Sequence, residues 1–306
     1  MELDVRVVDG MSDDGTRAEI QQIAEEHPWI RMIDNVERTT PRAMNLGLRP
    51  QGYEVGIILG AHAEIAPDFL RENIGLLEQH PEAGCVGGVI ENVYLDVPSR
   101  RIGAALGHPF GVGSAHFRTG RVEGEVDTVA FGAYRRTVFD QIGFFDERLV
   151  RNQDDEFNYR VVKSGWKIRL SKSIRSKYYV RASLKRLFRQ YDQYGYWKVY
   201  VNRLHKSVTT WRQLVPAAFV LYLVLGAIAA ALDPFLAMLY GAGLVAYLLL
   251  ALLSALQATD QLTDVFGTTR AFVILHMAYG LGYLRGIWEL AILRKEPAAG
   301  AHRLTR

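Results

Sequence analysis

Residues 53–94 read YEVGIILGAHAEIAPDFLRENIGLLEQHPEAGCVGGVIENVY. The apolar run YEVGIILG stops at Gly60 and has the length and punctuation of a buried strand. APDFLRENIGLLEQHP then places its apolar residues at helical intervals, with Pro67 near its start, where a missing N–H removes no helical bond. AGCVGGVIENVY is a second strand. Strand, helix and strand at this spacing predict a crossover unit, and such units build a mostly parallel sheet with helices on both faces. The same pattern extends toward the N-terminus. LDVRVVDG predicts a strand over about 3–8, SDDGT caps a helix over about 15–26, IRMIDN is a short strand, and Pro41 opens the helix PRAMNLGLR. In sheets of this kind ligands bind beyond the carboxyl ends of the strands, where Asp9, Gly60 and His62 fall.

The 306 residues suffice for one such domain and a second module. A net charge of +3 gives no footprint for nucleic acid. The single cysteine excludes an internal disulfide and a cysteine-rich metal site, and Cys85 reads as a small buried hydrophobe. The composition changes after residue 213. LVPAAFVLYLVLGAIAAAL (214–232) and FLAMLYGAGLVAYLLLALLSAL (235–256) carry no charge and are long enough to span a bilayer, with Asp233-Pro234 as the turn of a hairpin. The stretch before them, 183–213, is basic and aromatic and predicts a helix along anionic membrane lipids. Its Lys185, Arg186, Arg189, Lys198, Arg203, Lys206 and Arg212 place that side in the cytoplasm. Arg294, Lys295, Arg303 and Arg306 in the tail (293–306) point to the same side and so to an even number of crossings. A third apolar segment, about 271–292, contains His276, Arg285 and Glu289, which favours an interfacial or re-entrant position; the count stays open between two and three. The expected units are therefore 1–182, 183–213, 214–292 and 293–306.

Several polar clusters have two readings. Asp9 in VVDGMSDDGT can cap a turn, or accept from a uracil ring nitrogen or a ribose hydroxyl. Arg38 and Arg42 in VERTTPRAMNLGLR can lead into a helix or pair with a diphosphate, and Asn45 can serve structure or nucleotide. His62 can be structural or sit beside a metal–diphosphate. In VRNQDDEFNYR (150–160), Asp154, Asp155 and Glu156 suit the positive end of a helix, yet one carboxylate there can take a proton from an attacking hydroxyl.

Together, VVDGMSDDGT, AMNLG, GAHAEIAP, VDTVAFGAYRR, GFFDERLVRNQDDEFNYRVVKSGWKI and SLKRLFRQYDQYGYWKV make the chain resemble the family 2 inverting glycosyltransferases of GT-A fold. The likeness is to the membrane-attached bacterial branch typified by succinoglycan-type exopolysaccharide glucosyltransferases. The resemblance implies a nucleotide-sugar donor, UDP-linked in this reading, and a lipid-linked or polysaccharide acceptor. It makes Asp154 the base and Asp9 a nucleobase contact. Arg38, Arg42, Asn45 and His62 fall on the donor side, and Asp127, Gly132, Glu156 and Arg160 bind the acceptor or shape the site. Three departures accompany it. Gln153 stands where the family has an acid. Gly60 stands where it has a metal-holding Asp, so Mg²⁺ or Mn²⁺ would be left with His62, a poor ligand for a hard cation. Relatives also carry a strand and nucleotide loop ahead of VVDG, whose loss would expose a sheet edge and shorten the donor pocket. These departures support the rival expectation of an inactive membrane scaffold. A transporter would need more than two clear spans. Sugar, linkage and oligomeric state are not encoded in these motifs.

Overall fold

The structure, a computed structural model, describes residues 2–61, 63–208 and 211–297. The strands are β1 (Val5–Asp9), β2 (Ile30–Asp34), β3 (Val55–Ile57), β4 (Ala63–Ile65), β5 (Ala83–Val93), β6 (Gly124–Val126), β7 (Ala130–Arg135) and β8 (Lys167–Tyr179). The helices of the same region are α1 (Thr16–Glu26), α2 (Thr40–Leu48), α3 (Phe69–Gln79), α4 (Val97–Leu106), α5 (Pro109–Val112), α6 (His116–Thr119), α7 (Arg136–Ile142) and α8 (Gln153–Lys163). Four long helices follow: α9 (Leu184–His205), α10 (Leu214–Leu232), α11 (Pro234–Ala258) and α12 (Val265–Gly286).

The α/β layering is as expected, but the sheet is mixed rather than mostly parallel. Its order is β3-β7-β5-β8-β4, with β6 also on β8. Parallel pairing is confined to β5–β8 and to the separate pair β1–β2. The physical reason lies in the connections. Only a crossover can set two strands parallel, and β7 enters between β3 and β5 from the opposite end, after the α4–α6 excursion, so it runs antiparallel to both. Cys85, in β5, is fully buried. Behind β7 and α8, Phe139, Phe145 and Phe157 stack with centroids 4.4–6.4 Å apart and hold the start of α8 in place.

α10 and α11 coincide with the two expected spans, and both are long and apolar enough to cross a membrane. Few of their side chains are buried, and Val224, Leu225, Leu249 and Leu253 are among those exposed. The helix over the expected headgroup segment is different. α9 buries Tyr196, Trp197, Lys198 and Tyr200 against α12 and the catalytic-side loops. Truncating a buried Trp costs about 3–5 kcal/mol, whereas one basic residue near an anionic surface contributes about 1 kcal/mol. Packing therefore decides the position of α9; its exposed Lys185, Arg186 and Arg189 are available to headgroups, while Arg203, also exposed, donates to the Leu290 and Lys295 carbonyls. Glycine makes that packing close: a Cβ on Gly195 would lie 2.1 Å from the Tyr279 carbonyl oxygen, and one on Gly282 would lie 2.0 Å from that of Asp192. The third apolar segment starts earlier than expected, and α12 is buried along much of its length between α9, α10 and α4. The tail charges Arg303 and Arg306 lie outside the described residues.

Candidate active site

The three acids of 154–156 go three ways because successive residues on a helix are about 100° apart. α8 starts from Asn152, which holds a left-handed backbone (φ 59°) and donates its side-chain amide to the Tyr194 carbonyl of α9, at 3.0 Å. Glu156 turns inward and is buried. It accepts from Arg160 at 2.8 and 3.0 Å and lies 3.0 Å from His205. Arg160 also donates to the carbonyls of Ile142 and Phe144, so this cluster fastens α8 to its surroundings from behind. Asp155 pairs with Lys198, whose side chain is only 2% exposed. Lys198 is thus a buried partner of an acid and not a headgroup cation, a correction to its place in the basic stretch. Asp154 opens onto a cavity.

That cavity, about 2520 Å³, runs from the gap between the two sheets, past the first turn of α8, to the feet of α10 and α12. Val5, Val8, Val55 and Gly56 line one end and Phe219, Tyr247 and Tyr279 the other. Asp154 is accessible through it, yet protein packed around the carboxyl removes much of its hydration. This desolvation, followed by the charge of Asp155, raises its pKa above the usual aspartate value, while Lys198 works in the opposite direction. Beside Asp154, Asp127 pairs with Arg212. Gly132 lets β7 pass where a Cβ would meet the Tyr134 ring at 2.8 Å and the Cys85 sulfur at 2.9 Å. Phe131, in the same wall, is held at φ 48°.

The cavity therefore brings Asp154, Asp127, Gly132 and Gly60 together, and it does not reach Asp9, Arg38, Arg42 or Asn45. Asp9 is buried in its own turn. It accepts from the Ser12 hydroxyl at 2.6 Å, the Ser12 amide at 2.9 Å and Arg17 at 2.8 Å. These bonds, led by the Ser12 hydroxyl, lower its pKa to about 2. A depressed carboxyl stabilises the fold above its unfolded pKa and loses that contribution as pH falls toward its folded value. Amide protection in β1 and β2 is accordingly expected to hold down to about pH 4 and to fall between about pH 4 and pH 2, as read by hydrogen exchange. Arg38 is exposed on a turn at φ 57°. Arg42 pairs with Glu147 at 2.6 Å and Glu37 at 3.5 Å. Asn45 is buried and joins the Phe145 backbone and Glu147, so α2 uses it to hold the loop before α8. His62 lies outside the described residues.

The described residues do not fit a divalent cation. Gly60 has no side chain to offer, and Glu64 is turned to Tyr179 and Lys177. No group of three His, Cys, Asp or Glu converges among the described residues. The sequence reading missed Lys198 as a partner of the site, although one cation inside the aromatic run GYWKVYV signals a buried acid opposite.

Residues 1–143 match the family described as Glycosyl transferase family 2, a match that ends before α8. The chain is 29% identical over 200 residues to the Dolichyl N-acetyl-alpha-D-glucosaminyl phosphate 3-beta-D-2,3-diacetamido-2,3-dideoxy-beta-D-glucuronosyltransferase of Methanococcus voltae. That alignment covers 63% of this chain and 62% of the relative. It is 29% identical over 222 residues to the Succinoglycan biosynthesis protein ExoA of Rhizobium meliloti (strain 1021), covering 71% of this chain and 66% of that one. The chain thus spans less than two thirds of the length of either relative. The mannosyltransferase PcManGT of Pyrobaculum calidifontis, solved with GDP-Man and Mn²⁺, has the same fold at a TM-score of 0.61 and 20% identity. That likeness covers 94% of this chain and 78% of the other.

Proposed function

We propose that this chain, which carries a glycosyl transferase family 2 domain, is an inverting glycosyltransferase using a UDP-linked sugar at the cytoplasmic face of a plasma membrane. The observation that carries the proposal is Asp154, a carboxylate on the wall of a large cavity with its pKa raised. A general base works best when its pKa approaches the working pH, and burial moves Asp154 in that direction. An acceptor hydroxyl attacks the anomeric carbon, its proton passes to Asp154, and the bond from that carbon to the diphosphate oxygen breaks. A single displacement inverts the centre. Asp127 and Gly132 shape the acceptor side, with Glu156 and Arg160 fixing α8 behind it. The nucleoside end is assigned to the end of the cavity lined by Val5, Val8, Val55 and Gly56, next to the turn that Asp9 holds.

The acceptor is lipid-linked or a growing polysaccharide, as in exopolysaccharide or envelope glycan synthesis. The two relatives named above are a dolichyl phosphate sugar transferase and a succinoglycan biosynthesis protein. The exposed apolar surfaces of α10 and α11, with Lys185, Arg186 and Arg189 exposed ahead of them, support a bilayer anchor and a cytoplasmic site. The test is turnover of UDP- and GDP-sugars by the detergent-purified chain, with and without Mn²⁺, following both hydrolysis and transfer to membrane lipid extract. Turnover in the wild type that is lost in Asp154→Asn supports the proposal. An inactive wild type that still binds its neighbours in the membrane would favour the scaffold reading, for which Gly60 and Gln153 speak.

A further inference from the structure

We infer that Arg118 binds the diphosphate that leaves during transfer, and so supplies the positive charge that Gly60 cannot recruit through a metal. The inference rests on the glycosyltransferase reading above. A departing nucleoside diphosphate carries off the electron pair of the broken carbon–oxygen bond on its terminal phosphoryl oxygen. A cation held against that oxygen in a site screened from water lowers the barrier. Other basic groups that line the cavity have partners: Lys198 with Asp155, Arg212 with Asp127, Arg151 with the Gln193 side chain, and Arg135 with the Ala83 and Leu77 carbonyls.

Arg118 differs. Its Nη1 is buried and has no hydrogen-bond partner among the described residues. Its guanidinium carbon lies within cation–π range of two rings, 5.5 Å from the centroid of Phe117 and 5.4 Å from that of Tyr178. Stacking of this kind fixes the plane of the fork and leaves its edge for an oxyanion. Tyr178 pairs in register with Ala63, and the Ala63 amide donates to the Gly60 carbonyl at 3.1 Å. Arg118 is thereby linked, through Tyr178 and β4, to the turn at Gly60. Arg118, Gly60 and Asp154 line the same cavity. Three further buried polar atoms of residues lining the cavity lack partners among the described residues: the Ser114 hydroxyl, four residues before Arg118, and the side-chain carbonyl oxygens of Gln153 and Gln213. Buried polar groups are nearly always satisfied in a folded chain, so four orphans on one cavity indicate a polar ligand.

The shared chemistry is a phosphate ester, which either the donor or a phospholipid-linked acceptor could bring. The experiment separates them. The full chain in detergent is titrated with UDP, uridine, GDP, guanosine and farnesyl phosphate, as wild type, Arg118→Gln and Arg118→Lys. Arg118→Gln should weaken UDP or GDP binding at least tenfold, leave the matching nucleoside unchanged, and be partly restored in Arg118→Lys. On the wild type, UDP and not uridine should protect Arg118 from phenylglyoxal, read by peptide mass spectrometry, so the result does not depend on a variant folding. Unchanged diphosphate affinity in Arg118→Gln, or no protection, overturns the inference and leaves the enzyme reading standing. Loss of farnesyl phosphate binding with UDP binding intact overturns it in favour of the acceptor. A wild type that binds no nucleoside diphosphate removes both.

Discussion

Asp154→Asn should lower sugar transfer by about 10²–10⁴-fold, the usual contribution of a positioned general base. The amide keeps the shape of the carboxyl and cannot take the acceptor proton. Donor binding should change little, since the residue stands on the acceptor side of the displacement, so the loss falls on kcat and not on KM for the donor. Stability provides a second readout. A carboxyl whose pKa is raised by the fold opposes folding once it ionises, so the wild type carries that cost above an aspartate's ordinary pKa. At neutral pH the variant should therefore melt no lower than the wild type. A large loss of stability together with activity would mean that Asp154 holds the first turn of α8 and takes no proton.

The second large effect concerns the neighbouring pair. Asp155 and Lys198 are joined, but they are buried to different degrees, with side chains 36% and 2% exposed. Asp155→Ala strands an ammonium inside the protein and should cost about 3–5 kcal/mol. Lys198→Met instead leaves a carboxylate that water can reach and should cost about 1 kcal/mol or less. Thermal denaturation in detergent distinguishes them, and equal shifts for the two variants would contradict the asymmetry. The same pair tunes the base. Asp155 raises the pKa of Asp154 and Lys198 lowers it. The acidic limb of the pH–rate profile, where activity is lost as Asp154 becomes protonated, should move to higher pH in Lys198→Met. It should move to lower pH in Asp155→Asn. Limbs that do not move would detach the profile from Asp154.

Much of the fold was legible in the chain because its signals are local. The alternation of apolar strands and amphipathic helices over 53–94 comes from a periodicity spanning fewer than twenty residues at a time. The uncharged runs 214–232 and 235–256 need only be counted. The resemblance brought out Asp154 from three adjacent acids, and the ion pairs of Asp155 with Lys198 and of Glu156 with Arg160 set it apart from the other two. The direction of β7 was not legible, because antiparallel entry between β3 and β5 depends on where a long excursion returns. Nor was the position of α9, whose basic residues advertise a surface while its aromatic face is buried on α12.

The sequence by itself determined the layered α/β unit, the two apolar helices and the short set of acids from which a base could come. Local periodicity and side-chain chemistry suffice for those. Only the tertiary structure decided that Asp154 faces the cavity, that Arg42 and Asn45 are held by Glu147, and that Arg118 lines the same cavity with its Nη1 lacking a hydrogen-bond partner among the described residues. These are outcomes of partners 42 to 105 positions apart meeting in space, and a carboxylate or guanidinium has no role until the group facing it is known.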